Sequence, residues 1–516
     1  MKGFFSILRL AVWFSFSLLL SYFIQFRGQV RKFVFLDHTF HLDLRSFLPL
    51  AFWFLAILSV LWLLTAKILS KTLPLKYPKA LAQDFLSYLP FVFLALTPLA
   101  LTHYLTSEDL QTRTTLLLLA VLFSILYLKA VPLSQWTREN PCFLRTLTQK
   151  FLNLSLPKKL IILFLAALIL YNAGSASLSS KGITFSGDEP HYLLITYSLL
   201  HDRDFDLAEN YARKDYTQFT IPQAFIRSHA IPGARPESRY SFHSPGISFC
   251  MLPFYALGSL FGRKMLILIL RFGMSIFGAL LGLQLYLYAR EEWKKEKLAL
   301  GLWLLFSLTS PVFFYSIHIY PEIVVALLSF TVFRIFRFSP SLSKTKIILC
   351  GFLLSSFIWF HALKYLFIQI PLILYCLWVL VKKHRKRTDL VYFLAFPVLL
   401  TGIYFYFQYT LYGSFSISAV SWQKTMDTRQ TFDFFREILF NIPLRFRWET
   451  LAGYFLDQRD GLLFYAPIYF FAFLGMAEVI RRKGRELLLL LFLAAPYVLF
   501  SAFLTQRTGY APQARP

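Results

Sequence analysis

Long apolar runs, most of them about 20 residues in length, recur along the chain and are separated by short clusters of basic residues. A helix needs about 20 apolar residues to cross the hydrocarbon core of a bilayer. Of the 516 residues, 57% are apolar and 16% are charged, whereas soluble domains contain about 25% charged residues. This pattern is typical of polytopic membrane proteins. It disfavours intrinsic disorder, a secreted disulfide scaffold and a nucleic-acid-binding module.

The apolar runs predict an all-α polytopic membrane protein with about 13 transmembrane helices. Residues 247–262 are also apolar, but a span there would break the alternation of the loops. We therefore expect a hairpin or an interfacial helix in that segment. The predicted spans lie near 4–26, 47–66, 85–107, 114–132, 159–176, 265–288, 298–316, 323–338, 347–362, 366–381, 391–411, 461–480 and 487–504.

The basic residues predict the orientation of these spans. The chain has 53 Lys and Arg against 27 Asp and Glu, a net charge of +26. Such a charge can indicate a nucleic-acid partner, but here the basic clusters lie between apolar runs, as in cytoplasmic loops. We therefore expect membrane lipids and no nucleic acid as partners. The outer loops are then 177–264 and 412–460, with a short outer turn at 317–322.

The chain is expected to contain two regions. Residues 1–158 form an N-terminal extension of four transmembrane helices with little polar chemistry, and residues 159–516 contain the other helices and every large outer loop. The four cysteines show neither a CxxC pair nor a regular spacing, which argues against a disulfide framework and against a zinc site made of thiolates.

The segment Ser186-Gly187-Asp188-Glu189-Pro190-His191-Tyr192-Leu193 directly follows the fifth predicted span. In one interpretation it only begins a helix, with Asp188 as the N-cap and Pro190 in the first turn. In the other, a carboxylate at the height of the lipid headgroups takes a proton from an acceptor hydroxyl. Asp188 and His191 share a helix face, where they would bind a divalent cation or act as an acid–base pair.

Three other polar residues are predicted at the outer membrane surface. His243 lies in a turn before the interfacial segment or contributes a polar contact to a cleft. Glu322 either caps a very short turn between two helices or faces the same cleft. Lys364 ends a helix, where its ammonium either reaches the interface or pairs with a phosphate.

Four ordered motifs between residues 159 and 516 resemble bacterial membrane glycosyltransferases of the GT-C superfamily. Relatives in that superfamily include protein O-mannosyltransferases and the aminoarabinose transferase of lipid A. The resemblance implies a GT-C-like core after residue 158. The motifs are Gly187-Asp188-Glu189-Pro190-His191-Tyr192-Leu193, His243-Ser244-Pro245-Gly246, Tyr320-Pro321-Glu322, and Asp457-Gln458-Arg459-Asp460-Gly461-Leu462-Leu463 with Ala466-Pro467.

The resemblance implies an integral membrane glycosyltransferase that moves a sugar from a polyprenyl-phosphate donor to a glycan, lipid or protein acceptor. Its site would face the periplasm, outside a bacterial cytoplasmic membrane. Asp188 would be the catalytic base, Glu189 its partner in the paired-acid motif and Glu322 the acid of the second outer loop. His191 and His243 are expected to contact substrate. Candidates for binding the donor phosphate are Lys364, Arg459 and Arg507.

Two alternative functions remain. A transporter or flippase for lipid-linked sugars would need polar residues deep within several spans, whereas the charges cluster at the outer ends of the helices. A structural assembly factor would leave the coincidence of outer carboxylates and histidines unexplained. The segment 508–516 resembles a family segment that is normally followed by another helix, so we expect the sequence to be C-terminally truncated. No cofactor other than a divalent cation is indicated.

Overall fold

The computed structural model describes only part of the chain. It covers residues 143–415 apart from 181, 222, 224 and 385, residues 443–456 and 469–503, and isolated positions at 56–77 and 433–466. Apart from those isolated positions, the four spans predicted before residue 140 lie outside the described residues, and so do Arg459 and Arg507. The chain divides into two units, Met1–Asn153 and Leu154–Pro516. The candidate site lies in the second unit.

The described part is mainly helical, with one small sheet. Short 3₁₀ segments cover Asp215–Gln218 and Ser259–Phe261, and a π segment covers Leu380–His384. The helices and strands, in chain order, are α1 (Phe143–Leu152), α2 (Leu156–Ser180), α3 (Glu189–His201), α4 (Ala208–Arg213), β1 (Ala230–Pro232), β2 (Arg239–Ser241), α5 (Gly246–Gly258), α6 (Arg263–Trp293), α7 (Glu296–Leu308), α8 (Val312–Tyr315), α9 (Pro321–Phe338), α10 (Lys344–Ser355), α11 (Phe357–Val379), α12 (Arg387–Tyr412), α13 (Leu444–Leu456) and α14 (Phe470–Phe503).

Four of the described helices are long and apolar enough to cross a membrane: Leu156–Ser180, Arg263–Trp293, Phe357–Lys382 and Arg387–Tyr412. The prediction of a helical membrane protein is therefore confirmed, while the total of about 13 spans stays a prediction. The helices α2, α6 and α12 contain the spans predicted at 159–176, 265–288 and 391–411. Helix α5, Gly246–Gly258, covers most of the apolar segment 247–262 that we expected at the interface.

Helix α6 is the centre of the described bundle and packs against α2, α5, α7 and α9. Small residues on α6 allow the close approach of its neighbours. A side chain at Gly278 would overlap Ser316, which follows α8. The second group of contacts joins α10 to α12, and α11 to α9 and α14.

Two predicted span boundaries differ from the structure. The span predicted at 298–316 is divided, because α7 ends at Leu308 and the short α8 begins at Val312. Pro311 explains the break, since proline has no amide N–H and disfavours helical geometry in the residue before it. The helices that correspond to the spans predicted at 347–362 and 366–381 are separated at Ser356, and the backbone is non-helical at His361 within the second of them (φ −173°, ψ 100°).

A third difference concerns the last two predicted spans, 461–480 and 487–504. The structure has one continuous helix, α14, from Phe470 to Phe503, which includes the basic residues 481–483. Arg and Lys are good helix formers, so a polar cluster between two apolar runs does not require the backbone to turn. The two-span prediction is therefore wrong in this respect.

Strands β1 and β2 form an antiparallel hairpin, an addition to the predicted all-α fold. Ala230 pairs with Ser241, and the hydroxyl of Tyr412 on α12 donates a 2.6 Å hydrogen bond to the carbonyl of Ser241. This bond ties the hairpin to a candidate span. The hairpin brings residue 229, before β1, next to residues 242 and 243, after β2.

Candidate functional site

Asp188 lies at the N-cap of α3, but its side chain makes no capping hydrogen bond. The preceding residue, Gly187, has φ +62°, a left-handed conformation that glycine adopts most readily. A Cβ at that position would lie 3.2 Å from the Tyr320 hydroxyl. This tight turn directs the Asp188 carboxylate toward the loop that contains the hairpin.

Two histidines from the ends of the hairpin meet this carboxylate. His229 Nδ1 lies 2.9 Å from His243 Nε2 and 4.0 Å from Asp188 Oδ1. One ligand atom from each of the three side chains lies within 4.8 Å of the other two. We call Asp188, His229 and His243 the His–Asp cluster. The side chains of His229 and Asp188 are 27% and 28% exposed, so the cluster is accessible to a ligand.

Neighbouring rings hold His229 in place. Its ring stacks on His191 with centroids 3.7 Å apart and on Phe242 at 4.7 Å. The backbone N–H of His229 donates to the Tyr211 hydroxyl at 3.1 Å, and this hydroxyl lies 2.6 Å from His191 Nδ1. Tyr211 therefore connects α4, α3 and the start of the hairpin.

Burial favours the neutral form of His229 and of its neighbour His191. Desolvation lowers the pKa of His229, although the carboxylate of Asp188 partly opposes this shift. Burial, together with the nearby His229 and His243, lowers the pKa of His191 to about 2. Both imidazoles are therefore neutral at neutral pH, with a nitrogen lone pair available for a ligand.

Glu189 is buried and lies in a different environment from Asp188. Its Oε1 accepts hydrogen bonds from the Ile319 backbone N–H at 2.8 Å and from His318 Nδ1 at 3.2 Å. Its Oε2 accepts one from the Ser186 N–H at 3.1 Å. The carboxylate thus fastens the start of α3 to the turn between α8 and α9.

Arg271 on α6 contacts the segment between α2 and α3, next to Glu189. Its guanidinium is fully buried and donates to Ser179 Oγ at 2.9 Å and to the Ile183 carbonyl at 3.1 Å. It also lies over the ring of Phe185 and attracts Glu189 electrostatically. Arg271 therefore holds the chain between α2 and α3 against the bundle.

Glu322 and Lys364 form an ion pair with a distance of 2.9 Å between Nζ and Oε1, and their side chains are only 15% and 14% exposed. Glu322 belongs to the first turn of α9, two residues after Tyr320. Lys364 follows the non-helical residue His361, whose Nδ1 accepts the Lys364 backbone N–H at 3.2 Å. His361 thus acts as an N-cap within α11, for the longer part of the helix that follows it.

The structure brings several predicted residues together. Asp188 and His243 meet in the cluster. His191, which we expected to bind a cation or act as an acid–base pair with Asp188, packs against His229 and Tyr211. Glu322 and Lys364 pair with each other. The sequence argument missed His229. Its signal was a hairpin pattern, with Pro232-Gly233 and Pro236 between two short β-prone segments, since such a hairpin places its two ends side by side.

Comparison with known proteins gives no match: no family model fits the chain, and no curated protein and no solved structure is similar to it. The resemblance to GT-C glycosyltransferases therefore remains an expectation from the motifs. The class defined by the fold is a helical membrane protein. Its candidate site combines one carboxylate with neutral imidazoles, groups that can accept a proton or bind a cation.

Proposed function

We propose that the protein is a membrane glycosyltransferase that uses a polyprenyl-phosphate sugar as its donor. The observation that carries this proposal is the position of Asp188, a partly exposed carboxylate at the start of α3, in the segment that follows α2, a helix long enough to span a membrane. A lipid-linked donor presents its phosphate and sugar at the membrane surface, because its polyprenyl chain stays in the bilayer. The reaction would take place at the outer face of a bacterial cytoplasmic membrane.

The proposed reaction needs a single proton acceptor. Asp188 accepts the proton of the acceptor hydroxyl while the hydroxyl oxygen attacks the anomeric carbon of the sugar. The bond between the anomeric carbon and the phosphate oxygen breaks, and polyprenyl phosphate leaves with both electrons of that bond. The attack from the opposite face inverts the anomeric centre. The acceptor is a hydroxyl of a glycan, a lipid or a protein.

The other residues have supporting roles in this proposal. Glu189 is a positioning residue, because its two oxygens are occupied by backbone and imidazole donors. Lys364 binds the donor phosphate, and Glu322 orients its ammonium beforehand. His243 borders the sugar, and the buried His191 supports the site through its stacking on His229. Arg459 and Arg507 remain predicted phosphate ligands outside the described residues.

The test uses the purified chain in lipid nanodiscs with a mixture of polyprenyl-phosphate sugars and candidate acceptors. The readout is the release of polyprenyl phosphate. We expect Asp188→Asn to reduce the rate by about 10²- to 10⁴-fold, the range for loss of a general base. Glu209→Gln is the matched control, because Glu209 lies in the same loop with a side chain that is 82% exposed. Full activity of Asp188→Asn would contradict the proposal.

A further inference from the structure

We infer that Asp188, His229 and His243 form a binding site for one divalent transition-metal ion of the zinc class. The inference rests on the geometry and chemistry of the His–Asp cluster and does not depend on the proposed reaction. It differs from the pairing of Asp188 with His191 that the helix spacing predicted.

The donor atoms suit such an ion. Zinc binds histidine nitrogen at about 2.0–2.1 Å, so two ligands of a tetrahedral ion lie about 3.3 Å apart. The nitrogens of His229 and His243 are 2.9 Å apart, and the carboxylate oxygen of Asp188 is 4.0 Å from the first of them. Shifts of less than about 1 Å would place all three around one ion. Two imidazoles favour zinc, cobalt or iron over magnesium or calcium, which prefer oxygen ligands.

A hydrogen bond between the two imidazoles explains their short separation but not the carboxylate that faces the same point. The surroundings of His229 also fit a metal ligand. Its ring lies between His191 and Phe242, and the hydroxyl of Tyr211 accepts its backbone N–H. Neighbours that fix the orientation of a ligating ring are a regular feature of metal sites.

Three protein ligands leave a fourth position of a tetrahedral ion for water or substrate, as in catalytic zinc sites. Within the proposed transferase, that position would hold an oxygen of the acceptor or of the donor phosphate. A carboxylate has two oxygens, so one can bind the metal while the other takes the acceptor proton.

The test is metal binding by the full chain, purified without a histidine tag and stripped of metal with a chelator. Zn²⁺ is added as the probe, and binding is followed by calorimetry and by metal analysis after desalting. Co²⁺ serves as a second probe, whose visible absorption reports nitrogen and oxygen ligands directly. We expect one ion per chain, bound with micromolar or tighter affinity.

The variants His229→Ala, His243→Ala and Asp188→Asn should each weaken zinc binding at least 100-fold. His201→Ala is the control, because His201 ends the same helix α3 but packs against Tyr197, and the variant should bind zinc as the native chain does. Tyr211→Phe keeps all three ligands and should weaken binding about 10-fold through the orientation of His229. This variant gives a graded answer if an alanine variant fails to fold.

Lack of zinc binding by the folded native chain would overturn the inference, as would unchanged affinity in all three ligand variants. These outcomes are separate from the fate of the proposed function. Zinc binding without Asp188-dependent sugar transfer would remove the proposed function alone, whereas Asp188-dependent transfer by a folded chain that binds no zinc would remove this inference alone.

Discussion

The carboxylates at the two ends of helices α2 and α6 have different kinds of partner. At one end, which contains Lys159 and Arg290, carboxylates face guanidinium and ammonium groups. At the other end, which contains Ser179 and Arg271, Asp188 and Glu189 face imidazoles and backbone amides. We call these the ion-paired end and the site end. Lys159 and Ser179 lie about 30 Å apart along α2, given a rise of 1.5 Å per residue.

The ion-paired end joins helices through complementary charges. Arg334 on α9 bridges Gln284 and Glu291 on α6, with distances of 2.7 Å to each. Arg337 joins α9 to α6 and α14, and Glu296 at the start of α7 joins α2 to α6. The pairs are Glu291–Arg334, Glu292–Arg337, Glu486–Arg337, Glu296–Lys159 and Glu296–Arg290.

The comparison shows how the candidate site differs from ion pairs that only join helices. The ion pairs described at the ion-paired end balance in charge, since four carboxylates face four basic side chains. At the site end, the Asp188 carboxylate lies next to the imidazoles of His229 and His243, groups that can accept a proton or bind a cation. Glu322 and Lys364, also at this end, form a conventional ion pair.

The largest stability effect is expected for Glu189→Gln at the site end. The amide places an N–H₂ group against donors that the carboxylate satisfied, so the loss should be about 2–4 kcal/mol in the free energy of unfolding. Unfolding in mixed micelles with increasing denaturing detergent would measure it. The exposed Glu209→Gln should change stability by less than about 0.5 kcal/mol. A stable Glu189→Gln protein without activity would instead assign Glu189 to the chemistry.

Arg271→Met tests the support beneath the site. The substitution leaves the carbonyl of Ile183 and the hydroxyl of Ser179 without their buried donor, and we expect a loss of about 2–3 kcal/mol. Arg290→Met, on the same helix at the ion-paired end, should cost about 1 kcal/mol or less, because its partly exposed side chain makes an ion pair near solvent. Similar losses at both positions would break the distinction between the two ends.

These differences also show what the sequence could predict. The helices α2, α6 and α12 were predicted within a few residues, because a long apolar run both forms a helix and crosses a bilayer. The continuity of α14 was not, since the charged residues at 481–483 are compatible with either a loop or a helix. The break at Pro311 had a local signal that apolar content outweighed.

The site was predicted in part for a comparable reason. Asp188 and His243 each stand in a recognisable local motif, but their meeting with His229 depends on the β1–β2 hairpin and on its attachment to Tyr412. The pairing of Glu322 with Lys364 joins two helices that are distant in sequence. Such contacts follow from tertiary packing, which local sequence propensity does not predict.

Double-mutant cycles would compare one ion pair from each end. We expect coupling energies within about 0.5–3 kcal/mol for both. The Glu322–Lys364 pair should show the larger value, because its side chains are 15% and 14% exposed, against 26% and 18% for Glu291 and Arg334. Unfolding of the single and double alanine variants provides the measurement. A larger coupling for the Glu291–Arg334 pair would show that the second hydrogen bond of Arg334, to Gln284, outweighs burial in this protein.

The smallest effects are expected at two helix caps. At the site end, His361 Nδ1 accepts the Lys364 N–H. Near the ion-paired end, Ser343 Oγ accepts the Lys346 N–H at 3.3 Å. His361→Ala and Ser343→Ala should each reduce stability by about 1 kcal/mol, the typical value for a lost N-cap, and His361→Asn should restore most of the loss because asparagine caps well.

The two cap variants also separate stability from function. If His361 only caps α11, then His361→Asn should restore sugar transfer together with stability, since the position of Lys364 is kept. If transfer stays low in a His361→Asn protein of native stability, the imidazole itself contributes to the site, and the site end extends from the His–Asp cluster to the first turns of α11. Ser343→Ala should leave transfer unchanged in either case, because its helix begins at the end of the bundle where the charges are already paired.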